Sequence, residues 1–189
     1  MKDVFRGELV RFTFEEPDVI SKSEVRWQRD SEFVRLADNT PRSFISEKRA
    51  RDQYNERLEK EIESERYMFS VRTLAEDKLI GFLSLWIDLI HSVAWVGLGI
   101  GERDLWNQGY GTDMMNICLR YSFLELGLQR VSLGLHGYNT RALRTYEKVG
   151  FRLEGCTRKE VLREGKRSDT LWMGILREEW LQMQNGNPT

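Results

Sequence analysis

The chain has 189 residues, 40% of them hydrophobic and 31% charged, a composition that suits a single globular domain across 1–189 with an ordered core of about 7–182. Its 29 lysines and arginines meet 30 aspartates and glutamates for a net charge of −1, so no overall field draws it to nucleic acid or to an anionic membrane. Two cysteines, neither in a CxxC pair, exclude a disulfide framework and fit a reducing cytoplasm, and the first residues hold no apolar run like that of a signal peptide.

Leu9 to Phe14 reads as a first strand after a turn at Gly7. Asp18 to Leu36 is mixed and helical in part, and Pro41 breaks that region. Glu47 to Glu65 is dense in charge and free of glycine and proline, the pattern of an exposed helix with i,i+4 ion pairs. Tyr67–Leu74 and Leu79–Leu89 read as strands joined by a turn at Ala75–Lys78, and Val93–Ile100 as a third, which predicts an antiparallel meander. The apolar stretch from Leu79 to Ile90 contains Gly81, Ser84 and Asp88 and falls far short of the ~20 residues that span a bilayer.

The period then changes. Tyr110, Met114, Ile117, Cys118, Tyr121 and Leu124 recur at helical spacing, with Gly127 as the stop. Cys118 sits in that apolar stretch and reads as a buried, inert thiol. Val131, Leu133 and Leu135 alternate as a strand, and Asn139 caps a helix that carries Leu143, Tyr146 and Val149 on one face and ends before Gly150. Arg152–Arg163 and Ser168–Leu176 form a hairpin about Glu164–Arg167, and the tail Asn185–Thr189 frays. The sum is a mixed α/β domain.

The segment from Val93 to Met115 carries the first chemical signal: a strand runs into a short loop, and the loop into a helix that begins at Gly109 and Gly111. Glycines there let backbone N–H groups approach a ligand, and those N–H groups lack partners within the helix, so the site suits a phosphate or pyrophosphate. Thr112 adds a hydroxyl. No GxxxxGK[ST] string occurs, and a dinucleotide fingerprint from Gly97 and Gly99 would need glycine where Glu102 stands. Gly97, Gly99 and Gly101 alternate in the preceding strand and predict close approach of another chain or a ligand. The second signal is the helix Asn139 to Gly150, in which Asn139 and Tyr146 lie two turns apart on one face.

Together, in this order, the two segments resemble the GNAT superfamily of N-acetyltransferases. Trp106-Asn107-Gln108-Gly109-Tyr110-Gly111-Thr112 is similar to that family's pyrophosphate motif, [QR]xxGx[GA], and Asn139…Ala142…Tyr146-Glu147-Lys148…Gly150-Phe151 to its second signature. Gly7-Glu8-Leu9-Val10-Arg11 and the ending Glu154-Gly155…Gly165…Asp169 to Glu179-Trp180 resemble the RimJ/RimL-like branch, which contains ribosomal-protein-alanine acetyltransferases. The resemblance implies a mostly antiparallel, twisted sheet flanked by helices, with strands splayed where acetyl-CoA inserts. It implies that the backbone at Leu98, Gly99 and Ile100 binds the pantetheine arm. Backbone N–H groups of Asn107, Gln108, Gly109, Tyr110, Gly111 and Thr112 would hold the pyrophosphate, Asn139 would contact pantetheine, and Tyr146 matches the family's usual proton donor to the departing thiolate, with a phenol pKa that favours orienting and hydrogen-bonding the sulfur. The acceptor is then a primary amine of a peptide N-terminus or a small molecule, with neither nucleic acid, membrane nor metal involved; relatives are often homodimers. The alternative is a regulatory domain that binds acyl-CoA without turnover.

Two positions depart from the pattern. Trp106 stands where the motif has Gln or Arg, and Trp95 stands where many relatives carry a strand glutamate. Trp95 cannot accept a proton, so deprotonation falls to ordered water, a backbone relay, or a side chain such as Asp88, Glu102 or His136. His91 and His136 are isolated in sequence, and neither is joined by a set of metal ligands.

Overall fold

A computed structural model describes residues 3–37, 44–63 and 66–186. The chain runs β1 (Val10–Thr13), α1 (Pro17–Gln28), α2 (Ser31–Ala37), α3 (Glu47–Glu63), β2 (Arg66–Thr73), β3 (Leu79–Asp88), β4 (Val93–Ile100), α4 (Tyr110–Arg120), β5 (Arg130–His136), α5 (Thr140–Lys148), β6 (Arg152–Arg163), β7 (Lys166–Leu176) and α6 (Arg177–Asn185). One seven-stranded sheet has the order β1-β2-β3-β4-β5-β7-β6. All neighbours are antiparallel except β4 and β5.

The boundaries follow local chemistry. Pro17 occupies the first turn of α1, where its missing N–H costs nothing. The Asp30 carboxylate accepts from the N–H groups of Glu32 and Phe33 at the start of α2, and Ser46 Oγ accepts from Arg49 N–H at the start of α3. The β6–β7 turn is the pair Glu164-Gly165, both left-handed (φ 50° and 72°), so β7 begins at Lys166, two residues before the predicted start. Helix α6 is an element the periodicity does not announce; it forms because Trp180 buries against the core while Glu179 accepts from Leu176 N–H. Asn185 therefore ends a helix rather than starting a frayed tail. The predicted break at Pro41 and the tail 187–189 lie outside the described residues.

The sheet's two faces are packed differently. Helices α4 and α5 cover one face, where Met114, Ile117, Phe123, Leu133, Met173 and Ile175 are each 1% exposed or less. The N-terminal helices cover part of the other with a smaller cluster of Ile20, Trp27, Phe33, Tyr54 and Leu79.

The parallel pairing sets the site. Strands β4 and β5 pair only at Val93–Arg130, Ala94–Val131 and Trp95–Ser132. Beyond Trp95 they diverge, leaving the edge of β4 from Val96 to Ile100 open toward β5, while β5 stays paired with β7 through His136.

Candidate active site

A cavity of about 860 Å³ fills the gap between the diverging strands. One wall is the open edge of β4, including Leu98, Gly99 and Ile100, and the floor is Asn107 and Gly109 through Thr112 at the start of α4. Gly109 precedes α4 with a φ of 89° and no side chain caps the helix, so the first-turn N–H groups of Tyr110, Gly111 and Thr112 lack intrahelical acceptors and face the cavity. Asn107 is also left-handed, at 62°, and the two reversals curl the loop into a concave turn, a nest shape that suits an anion. On the far side Arg141, Arg144 and Lys148, spaced three and four apart on α5, line the same space. Uncapped N–H groups, an unpaired strand edge and three cations fit a ligand that pairs an amide-bearing arm with a pyrophosphate.

A family model for the GNAT acetyltransferase domain matches residues 8–152. The chain belongs to this family. YjcK of Bacillus subtilis (strain 168), named a probable N-acetyltransferase, is 34% identical over 126 residues, 66% of this chain and 67% of its own. Among solved structures, a GNAT acetyltransferase from Bacillus anthracis superposes with a TM-score of 0.76 at 22% identity, covering 93% of this chain and 99% of its own. A spermidine N-acetyltransferase from Vibrio cholerae, solved with CoA and spermine, gives 0.77 at 24%, covering 91% and 98%. These likenesses establish the GNAT fold, and with the family match they make the chain an acetyl-CoA-dependent acetyltransferase.

Within the GNAT frame, most of the expected residues converge. Leu98, Gly99, Ile100, Asn107, Gly109, Tyr110, Gly111, Thr112, Asn139 and Tyr146 all line the cavity, whereas Gln108 does not: its side chain turns away and donates to Asp104 O. Asn139 is occupied as a cap, accepting from Ala142 N–H at 3.2 Å and donating to Leu36 O at 3.4 Å, which ties α2 to α5 across the cavity mouth. Tyr146 is buried, and burial pushes its phenol up to about 12, so the hydroxyl keeps its proton throughout the neutral range.

One expectation is extended and one is corrected. The strand glycines are approached by aromatic rings of the protein on their open face: a Cβ at Gly97 would meet the Trp86 ring at 3.2 Å, one at Gly99 the Phe82 ring at 3.0 Å, and one at Gly101 the Trp27 ring at 2.1 Å. The cavity meets Gly97 and Gly99 as backbone. Among the candidate bases, Glu102 and Asp88 lie outside the lining. Glu102 accepts from the Trp27 indole and pairs with Arg26 and Lys78. Burial alone would raise its pKa, but these three donors overcome that and hold it below the ordinary carboxylate range. Asp88 accepts from His91 N–H at the far end of β3. Only His136 of the three lines the cavity, on the sheet face opposite Leu135, with its ring 5.1 Å from that of Tyr138.

The structure also brings in residues that the motifs do not name. Phe33, Leu36 and Ala37 of α2 and Thr170 and Trp172 of β7 close the cavity opposite α4. Trp172 lies over Gly134, donates its indole N–H to Thr157 and meets the exposed Trp95 edge-on at 5.6 Å. Asp113, one turn into α4, is buried and accepts from the N–H groups of Glu8, Leu9 and Val10 at 2.8–3.0 Å. A Cβ at Gly7 would strike that carboxylate at 2.3 Å. The signal for this pairing was the glycine before the first strand, legible only once its distant partner is known.

Among the described residues no group of three or more His, Cys, Asp or Glu is placed to hold a metal ion, and no helix is long and apolar enough to cross a membrane.

Proposed function

We propose that this acetyltransferase acts on the primary amine at the N-terminus of a peptide or protein. The acceptor end of the cavity supports this reading. Its described lining is apolar and aromatic (Phe33, Leu36, Ala37, Trp172) and contains no aspartate or glutamate. A polyamine carries several ammonium groups, and a buried cleft that holds one needs carboxylates to pair with them. The Thr170 hydroxyl, buried beside His136, has no hydrogen-bond partner among the described residues, and a peptide supplies backbone groups that satisfy it. The exposed Trp95 and Trp86 continue the aromatic wall of Trp172 outward, a path suited to an extended chain. A small monoamine with an aromatic body is the second reading, favoured by Trp172 alone. The resemblance of the Gly7–Arg11 segment to the RimJ/RimL-like branch supports placement there. Two free thiols, one of them exposed at Cys156, are in keeping with a cytoplasmic setting.

In this reading the bound co-substrate supplies an activated acetyl thioester, and the protein supplies position and proton control. The nest and the N–H groups of Tyr110, Gly111 and Thr112 hold the pyrophosphate, and the β4 edge at Leu98–Ile100 orients the pantetheine arm. Tyr146, reluctant to ionise, hydrogen-bonds the sulfur from the α5 side rather than surrendering its proton. The amine enters from the opposite face of the sheet. The test is acetyl-CoA consumption across peptides of varied N-terminus, aromatic monoamines, spermidine and spermine. Peptides should lead in kcat/KM; a preference for the polyamines overturns the acceptor assignment and leaves the acetyltransferase in place.

A further inference from the structure

Trp106 stands at the first position of the pyrophosphate motif, which in the form [QR]xxGx[GA] begins with Gln or Arg, and cannot itself offer a donor to the ligand. Its indole N–H is committed to Ile100 O at 2.8 Å, which pins the ring at the end of β4. The guanidinium of Arg141 lies 3.7 Å from the centre of that ring, within cation–π range. Arg103 approaches the same ring at 5.3 Å, but its charge is matched by Asp30 and Glu32. Arg141 makes no ion pair among the described residues, is half-buried, and lines the cavity together with the N-terminal turn of α4. Burial, with the like charge of Arg103 adding to it and Glu32 opposing, lowers the Arg141 pKa from its ordinary value. Arg144 and Lys148 also line the cavity but are exposed, so water screens them. A half-buried cation without an ion-pair partner among the described residues, held over a fixed aromatic ring at the start of α4, is poised for an arriving anion.

We propose that Arg141 binds the pyrophosphate of CoA and that Trp106 is its positioning residue, the motif's polar side chain being replaced by a stacked pair from two distant segments. The inference rests on the reading of the Gly109–Thr112 loop as the pyrophosphate site. Planar guanidinium and phosphate match in two-point hydrogen bonding, and the indole preorganises that geometry at little further entropy cost.

Titration calorimetry with CoA, dephospho-CoA and pantetheine tests it, on the wild type and on Arg141→Ala, Arg141→Lys, Trp106→Leu and Trp106→Phe. Arg141→Ala should weaken CoA and dephospho-CoA alike by about tenfold or more and leave pantetheine unchanged. Arg141→Lys should recover part of the loss. Trp106→Leu should weaken CoA by several-fold in the wild-type background and add little once Arg141 is alanine, while Trp106→Phe, which keeps a ring, should fall between. A loss confined to CoA assigns Arg141 to the 3′-phosphate and overturns the pyrophosphate contact. Undiminished binding by Arg141→Ala overturns the proposal, and additive losses in the double variant overturn the role of Trp106. Failure of the wild type to bind CoA overturns the loop reading itself.

Discussion

The two faces of the sheet are held by different forces, and the difference divides the labour of the site. The face under α4 and α5 is a dry, close-packed cluster in which side chains such as Ile117 and Phe123 are fully buried. It fixes Tyr146 and the start of α4, the groups that must meet a rigid ligand in one geometry. The face under α1 and α2 rests on a smaller aromatic cluster and a belt of ion pairs: Arg26 and Lys78 with Glu102, and Arg103 with Asp30 and Glu32. Ion pairs near water are weak and screened, and hold that face less firmly than packing holds the other. In the proposed function the rigid face serves the co-substrate and the looser face borders the acceptor.

The largest test of this contrast is Tyr146→Phe. The ring is buried in the first cluster and packs 5.9 Å from Phe151, so its loss of one oxygen leaves packing intact. With the hydroxyl hydrogen-bonding the sulfur and keeping its proton, turnover should fall about 10- to 10²-fold while calorimetric affinity for CoA stays within a few-fold of the wild type. Unchanged turnover returns Tyr146 to a packing role and removes the functional meaning of the rigid face.

Asp113→Ala comes next. Three backbone N–H groups of residues 8–10 converge on its carboxylate, the last of them buried. Removing the acceptor leaves those donors unpaired and should cost about 3 kcal/mol of stability in urea unfolding. Since Asp113 sits one turn beyond the nest, CoA affinity should fall with it. A variant as stable as the wild type shows that water satisfies residues 8–10 and that β1 is not anchored through α4.

What the sequence made legible divides along the same line. The meander, the α4 loop and the Asn139–Gly150 helix are local patterns: strand alternation, glycine at a left-handed Gly109, a cap at Asn139. Each is written within a dozen residues, so each can be read there. The cavity wall formed by Phe33, His136, Thr170 and Trp172 joins residues more than a hundred positions apart in places, and only the fold brings them together. The strand glycines were half legible for the same reason. Gly97 and Gly99 line the cavity, but the rings of Trp86, Phe82 and Trp27 that approach Gly97, Gly99 and Gly101 are partners that spacing along one strand does not reveal. Glu102, one of three candidate bases, has its carboxylate engaged by Trp27, Arg26 and Lys78.

The smallest effect tests the ion-pair belt directly. Glu102 is largely buried, and its three donors outweigh the burial that would otherwise raise its pKa. Asp30 is likewise held below its ordinary value, first by its hydrogen bonds with Arg103. A carboxylate whose pKa is depressed on folding stabilises the fold fully above its unfolded value, near the ordinary pKa of about 4.3 for glutamate, and loses that contribution as pH falls through the depressed folded value. Glu102→Gln keeps an acceptor for the Trp27 indole and removes the charge. It should therefore lower stability by about 1 kcal/mol at pH 7, and the gap between variant and wild type should close as urea unfolding is repeated at pH values stepping down from about 5 toward 3. The acid slope of the wild type should be correspondingly steeper in that window. A gap that stays constant with pH assigns the loss to packing around Trp27 and not to charge, and the two faces would then be held by the same force.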